Sequence, residues 1–391
     1  MTTSPNHPEN EMIKVLLVDD QEIVAAGVRN MLEDEPGIEF HFCSDPSTVI
    51  DVANKIQPTV ILQDLVMPDI DGLTLVRFFR ANDATKEVPI VVLSSKEEAA
   101  TKAESFACGA NDYLVKFPDK LEVIARLRYH SKGYTALLQR NKAYRALAKE
   151  LAEAAEYVIS LLPAPLDQEP STKWCFEPST QLGGDSFGYH WMDDEHFAVY
   201  LLDVCGHGVG AALLSVSVMN VLRSQSLPGV DFKQPAEVLV GLNNTFKMEN
   251  HNGMFFTIWY GVYHTKEKQL SYSSGGHPPA ILISGPDSDN SNIKLLTGKG
   301  VVIGAMPDMD FKTETCSIDK YSKLYVYSDG AYEITVKSTG KMWTLEDFTD
   351  MVEAYAKDTS GKDIRDVRDQ ISRIQGKEQF EDDFSLLEVT F

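Results

Sequence analysis

Short apolar runs alternate with amphipathic stretches over the first 130 residues. Ile13–Val18 (IKVLLV), 40–43, 59–62 (TVIL), 88–93 (VPIVVL) and 113–115 read as buried strands. Residues 21–32, 46–55, 72–81 and 97–108 read as helices, with apolar positions three and four apart. Five such β/α units predict a doubly wound α/β domain with a five-stranded parallel sheet, whose ligands gather at the carboxyl ends of the strands.

The pattern then changes period. Residues 120–162 contain no proline and a single glycine, Gly133. Tyr134, Leu137, Asn141, Tyr144, Ala148, Leu151, Ala155, Val158 and Leu162 recur at alternating spacings of three and four. That seam predicts a long helix forming a parallel dimeric coiled coil, with Asn141 as the polar position that sets register. The competing reading is a helix packed on its own domains. Pro163 and Pro165 stop the helix, which places a domain boundary there.

Beyond the prolines the period is mostly two. Strands are predicted at 172–178, 186–191, 196–203, 255–264, 269–274, 280–284, 313–318, 323–328 and 385–390, and helices at 210–226, 234–249, 344–355 and 363–374. Many strands with few helices predict an α+β sandwich with helices on its outer faces. The expected domains are therefore 12–130, a linker helix over 131–162, and 163–391.

Composition narrows the function. Asp and Glu total 58 against 36 Lys and Arg, a formal charge of −22. That sign opposes phosphate backbones, and no basic run offsets it, so nucleic-acid binding is not expected. Five scattered cysteines form no CxxC pair, which suggests neither a disulfide framework nor a zinc site. The polar start lacks an apolar core of the signal-peptide type, and no stretch approaches ~18 apolar residues. A cytoplasmic protein with a disordered tail over 1–11 is expected.

Polar residues mark the ends of the first five strands: Asp19 and Asp20, Asp64, Ser94, and Lys116. Three carboxylates converging on one edge repel unless a cation sits among them, and hard oxygen ligands suit Mg²⁺. A lysine and a hydroxyl beside them can hold phosphoryl oxygens. The stretches VLLVDDQ, ILQDLVMPDIDGL, VVLSSKEE and GANDYLVK closely resemble the response-regulator receiver family. The resemblance implies that Asp64 accepts a phosphoryl group from a sensor histidine kinase. It implies that Asp19, Asp20, Asp64 and the Val66 carbonyl hold Mg²⁺. It also implies that Ser94, Tyr113 and Lys116 form the switch. Here Phe117 intervenes between the lysine and Pro118, where the family has proline directly.

In the last 225 residues, aspartates again stand at strand ends or tight turns beside glycines: Asp185, Asp203, Asp329, and the Asp382–Asp383 pair. Carboxylates with open coordination positions are what a two-metal hydrolytic site needs. LLP, GGD, DVCGHG, MFFT, GGHPP, VYSDGAYE and DDFSLL, in this order, resemble the SpoIIE/RsbU-like branch of the metal-dependent (PPM) protein phosphatases. The resemblance implies two Mn²⁺ or Mg²⁺ ions bridged by Asp203. Asp185 and the Val204 carbonyl would complete one site, and Asp329 and Asp382 the other. It implies direct attack of water on phosphorus without a phosphoenzyme. His207 is a candidate proton donor, His277 a structural residue, and Asp383 an unassigned neighbour. Where the family shows GGDFYD, this chain has GGDSFG, with Gly188 in place of the second acid.

Together these imply a receiver that controls a phosphoserine/phosphothreonine phosphatase. The expected substrate is a phosphorylated anti-anti-sigma-type (STAS) protein, and the expected assembly a homodimer. The sign of control stays open. The alternative is a non-catalytic adaptor that uses a phosphatase-like fold to bind a sigma factor or related regulator.

Overall fold

The computed structural model describes residues 12–68, 70–288, 290–358 and 361–391; the expected tail over 1–11 lies outside them. The chain forms two compact units that divide between Leu147 and Ala148.

In the first unit, β1 (Ile13–Val18), α1 (Glu22–Leu32), β2 (Ile38–Cys43), α2 (Val49–Ile56), β3 (Val60–Asp64), α3 (Gly72–Ala81), β4 (Ile90–Ser94), α4 (Ala99–Ala107) and β5 (Asp112–Val115) alternate as expected. The strands are all parallel, in the order β2-β1-β3-β4-β5. Side-chain alternation divides β1 between two cores. Val15 and Leu17 pack with Val24, Val28 and Leu127 on one face, while Leu16 and Val18 pack with Val49, Val76 and Phe79 on the other. Burial on both faces explains why the strand reads as a continuous apolar run.

Helix α5 (Lys120–Ser160) begins on this unit and buries Val123, Ile124, Leu127 and Ser131. Residues 139–150 of it are exposed throughout. The division between the units thus falls inside the helix, before the prolines that mark the boundary in the sequence. After the helix, Leu161 and Leu162 pack on the second unit. There the Pro163 carbonyl accepts from Trp174 Nε1 at 3.0 Å, and the Ala164 carbonyl from Tyr189 Oη at 2.9 Å.

The second unit runs β6 (Ser171–Glu177), β7 (Ser186–Trp191), β8 (His196–Val204), α6 (Val209–Ser224), α7 (Pro235–Thr245), β9 (Phe256–His264), β10 (Gln269–Gly275), β11 (Ala280–Gly285), β12 (Asn292–Leu296), β13 (Glu314–Ser317), β14 (Tyr321–Tyr327), α8 (Leu345–Lys357), α9 (Arg365–Gln375) and β15 (Phe384–Thr390). Two five-stranded antiparallel sheets result, β13-β10-β9-β8-β7 and β12-β11-β14-β15-β6. Phe187, Val199, Leu201, Trp259, Leu324, Val326 and Leu387 fill the space between them. Helices α6 and α7 cover the outer face of the first sheet, over Tyr200, Leu202 and Tyr260. Helices α8 and α9 cover that of the second, over Ile281, Tyr325 and Leu386.

The expected sandwich is therefore present. β12 was not expected: it is only five residues long, and although Ile293 and Leu295 alternate with polar neighbours, Leu296 is its only fully buried residue; pairing with β11 holds it at the sheet edge.

Candidate functional site

At the carboxyl edge of the parallel sheet, Asp19 and Asp64 are fully buried and Asp20 partly so. One oxygen from each lies within 4.8 Å of the others, the only such group of three among the described residues. Lys116 Nζ lies 2.9 Å from Asp19 Oδ2 and 3.0 Å from Asp64 Oδ2. Asp20 Oδ1 and Asp64 Oδ1 are buried without a hydrogen-bond partner of good geometry. Burial pushes the Asp64 carboxyl up, opposed by Lys116 and reinforced by Asp19. Burial alone would lower Lys116, but its hydrogen bonds to Asp19 and Asp64 outweigh that and raise it. Crowded, under-satisfied carboxylates of this kind suit a small dication.

Ser94 joins the cluster through the backbone: its carbonyl accepts from Lys116 N at 2.8 Å. Tyr113 is buried among Leu65, Leu73, Val92 and Ala110, and its hydroxyl donates to the Lys96 carbonyl. Phe117, the residue that departs from the familiar pattern, has φ +64° and is 81% exposed. The left-handed region is strained for a bulky side chain, so the extra residue is absorbed as a local kink directly after the lysine. Val66 follows β3, and its backbone N–H donates to Asp64, which opposes but does not overcome the upward push of burial.

In the second unit, Asp185 directly precedes β7 and Asp203 lies on β8, opposite Thr257 of β9. Asp329 begins a 3-10 turn directly after β14, and Asp382 and Asp383 precede β15. Two aspartates thus come from the first sheet and three from the second, and their charges interact. Burial raises Asp203 to about 7, helped by Asp329, Asp382 and Asp383. Burial raises Asp329 to about 6, helped by Asp382 and Glu333. Asp185 is pushed well above the usual carboxylate range by burial, then by Asp203 and Asp383. Its Oδ1 is buried without a partner. These features suit divalent cations, although Asp203, Asp329 and Asp382 do not close to the 4.8 Å spacing of the first-unit group. A side chain at Gly184 would place Cβ 2.5 Å from the Val204 carbonyl oxygen, so glycine is required for that approach.

The two neighbouring aspartates differ sharply. Asp382 is exposed, with Oδ1 accepting only from Asp383 N at 2.8 Å. Asp383 is buried and saturated. Its Oδ1 accepts from Ser179 N (2.8 Å) and Ser179 Oγ (2.9 Å), and its Oδ2 from Gly184 N (2.6 Å) and Asp185 N (3.3 Å). Asp383 therefore holds the Gly-Gly-Asp turn rather than facing an ion.

His277 is buried, with Nδ1 2.8 Å from Thr257 Oγ1, and burial lowers it to about 3. It is a neutral packing residue behind β9. His207 is exposed on the loop before α6 and is not drawn into the carboxylate cluster by any hydrogen bond. Sequence reasoning missed Ser328 and Ser385, whose hydroxyls link these aspartates. The available signal was their position beside the acids in VYSDG and DDFSLL.

Comparison with known proteins accounts for both units. The family model for stage II sporulation protein E (SpoIIE) matches residues 193–391, and that for the response regulator receiver domain matches 15–128. Asp203, Asp329 and Asp382 fall inside the first span, and Asp185 just before it. Phosphoserine phosphatase RsbU of Bacillus subtilis is 26% identical over 262 residues, 65% of this chain and 75% of RsbU. Phosphoserine phosphatase RsbP of B. subtilis is 27% identical over 161 residues, covering 41% of this chain and 39% of RsbP. Protein IcfG of Synechocystis is 26% identical over 333 residues, covering 75% of this chain and 50% of IcfG. The SiaA-PP2C domain of Pseudomonas aeruginosa superposes with a TM-score of 0.55 at 18% identity, over 64% of this chain and 98% of that domain, and so shares the fold. The chain belongs to the stage II sporulation protein E (SpoIIE) family, with a PPM-type phosphatase domain preceded by a response regulator receiver domain.

Proposed function

We propose that this chain is a metal-dependent phosphoserine/phosphothreonine protein phosphatase controlled by phosphorylation of Asp64. The observation that carries the reading is the retained set of crowded carboxylates, Asp185, Asp203, Asp329 and Asp382, where the two sheets meet. Two relatives bear the name phosphoserine phosphatase.

In this reading Asp203, Asp185 and the Val204 carbonyl would hold one ion, and Asp203, Asp329 and Asp382 a second. Mn²⁺ or Mg²⁺, when bound, supplies the Lewis acid that polarises the phosphoryl group. Asp383 fixes the turn that carries Asp185. His207, exposed on the loop between β8 and α6, is the candidate to hand a proton to the leaving seryl oxygen. The substrate is a phosphorylated STAS-type antagonist of an anti-sigma factor.

In the receiver, Asp19, Asp20, Asp64 and the Val66 carbonyl would hold Mg²⁺. Lys116 and Ser94 receive the phosphoryl oxygens delivered by a sensor histidine kinase, and Tyr113 reads the change. The receiver spans 12–130, the linker 131–162 and the phosphatase 163–391. The linker seam pairs with a second copy and carries the signal. The proposed location is the cytoplasm; no helix among the described residues is long and apolar enough to cross a membrane.

Release of phosphate from a phosphorylated antagonist protein, with and without Mn²⁺, tests the reading. Mn²⁺-dependent turnover that Asp203→Ala abolishes is expected. No turnover by the wild-type chain would favour the adaptor. Turnover unchanged in Asp64→Asn, with and without acetyl phosphate, would remove the receiver's control.

A further inference from the structure

Asp185 is anchored from the opposite sheet. Its Oδ2 accepts a hydrogen bond from Ser385 Oγ at 2.5 Å, and both residues are buried, at 2% and 0% exposure. Asp185 stands at the head of β7, in one sheet, and Ser385 on β15, in the other. Ser385 is itself held by Ser328, which is also fully buried. Ser385 N donates to Ser328 Oγ at 3.0 Å, and Ser328 N donates to the Ser385 carbonyl at 3.1 Å. Ser328 Oγ donates onward to the Asp383 carbonyl at 2.9 Å. Two hydroxyls therefore tie the turn bearing Asp185 to the strand ends bearing Asp329 and Asp382. With Oδ2 occupied, Oδ1 is the atom of Asp185 left without a protein partner. Removing the hydroxyl takes the Ser385 donor from Oδ2 and loosens the orientation of the carboxylate.

We propose that Ser385 is a positioning residue for metal binding: its hydroxyl, seated by Ser328, fixes Asp185 Oδ2 so that Oδ1 is presented to the cation. This rests on the reading that Asp185 is a metal ligand.

The full chain is titrated with Mn²⁺ and the rise in melting temperature is followed, alongside phosphatase activity over the same Mn²⁺ range. Wild type, Ser385→Ala, Ser385→Thr and Asp185→Asn are compared. Ser385→Ala is expected to raise the half-saturating Mn²⁺ concentration about tenfold or more, as loss of a hydrogen bond to a ligating carboxylate does. Its kcat at saturating Mn²⁺ should stay near that of the wild type, and its metal-free melting temperature should drop only slightly. Ser385→Thr, which keeps the hydroxyl, should restore near-wild-type Mn²⁺ dependence. Unchanged half-saturation in Ser385→Ala overturns the proposal. So does a threonine variant as impaired as the alanine one, since the effect would then be packing. If Asp185→Asn titrates like the wild type, the assignment of Asp185 as a ligand falls, and the role of Ser385 with it.

Discussion

The Asp383 carboxylate accepts the Gly184 N–H at 2.6 Å across 199 residues of sequence, while its neighbour Asp382 faces solvent. Adjacent acids thus have opposite roles. Asp383→Ala should destabilise the metal-free chain by about 2–4 kcal/mol, because several buried donors lose a charged acceptor. Asp382→Ala should cost under ~1 kcal/mol, as exposed positions do, yet abolish phosphate release. Urea unfolding of the metal-free chain and phosphate release with Mn²⁺ separate the two.

Carboxyl crowding should make the metal-free phosphatase domain sensitive to pH. Burial and neighbouring acids hold Asp203 at about 7 and Asp329 at about 6, against about 3.9 for an unfolded aspartate. The folded state therefore binds more protons between those values, and stability falls as pH rises through about 6 to about 7. The contribution is fully present only below about pH 4. Thermal melts across this range should show the decline without metal, a shallower slope in Asp203→Asn, and little slope with saturating Mn²⁺.

Gly188 leaves no room for a side chain. An added Cβ would lie 2.4 Å from Tyr200 Oη and 2.5 Å from Cζ. Tyr200 is itself fully buried and stacked on Tyr260. Gly188→Ala should cost about 1–3 kcal/mol through overpacking. In a double-mutant cycle with Tyr200→Val, the two losses should sum to more than the double variant shows. Denaturant titration of the four chains gives the coupling.

Acetyl phosphate with Mg²⁺ should label the receiver at Asp64. Asp64→Asn should take up no label, and Asp20→Asn should raise the Mg²⁺ requirement. Phosphate-affinity gel electrophoresis reads both outcomes.

The linker should dimerise through its exposed stretch. Tyr144 is 66% exposed and Leu147 55% exposed on the single chain. Tyr144→Asp with Leu151→Asp should shift the chain from dimer to monomer, and Asn141→Leu should tighten the dimer. Sedimentation equilibrium over a concentration series decides it.

What could be read in advance followed from locality. Asp19, Asp20, Asp64 and Lys116 each close a strand with a strong apolar signal, so their meeting at one sheet edge follows from topology alone. Asp185, Asp203 and Asp329 lie in short glycine-bearing motifs and were equally visible. The contacts that set their geometry were not. Ser385 reaches Asp185 across 200 residues, and Asp383 reaches Ser179 across 204. No periodicity encodes such pairs. β12 escaped because five residues give too short a pattern to stand out, and pairing with β11 on one side is what holds it. The units divide between Leu147 and Ala148, inside a continuous helix that carries no mark of which unit its turns pack against.

Strand β6 has one neighbour in its sheet, β15, the last element of the chain. On the ribosome, β6 therefore emerges long before its partner, and Asp185 waits equally long for Ser385. The receiver, whose strands pair among themselves, can fold while the phosphatase domain is still incomplete. Translation thus imposes an order in time: the parallel sheet can close before the sandwich that follows it, and the turn bearing Asp185 waits for β15 to be made.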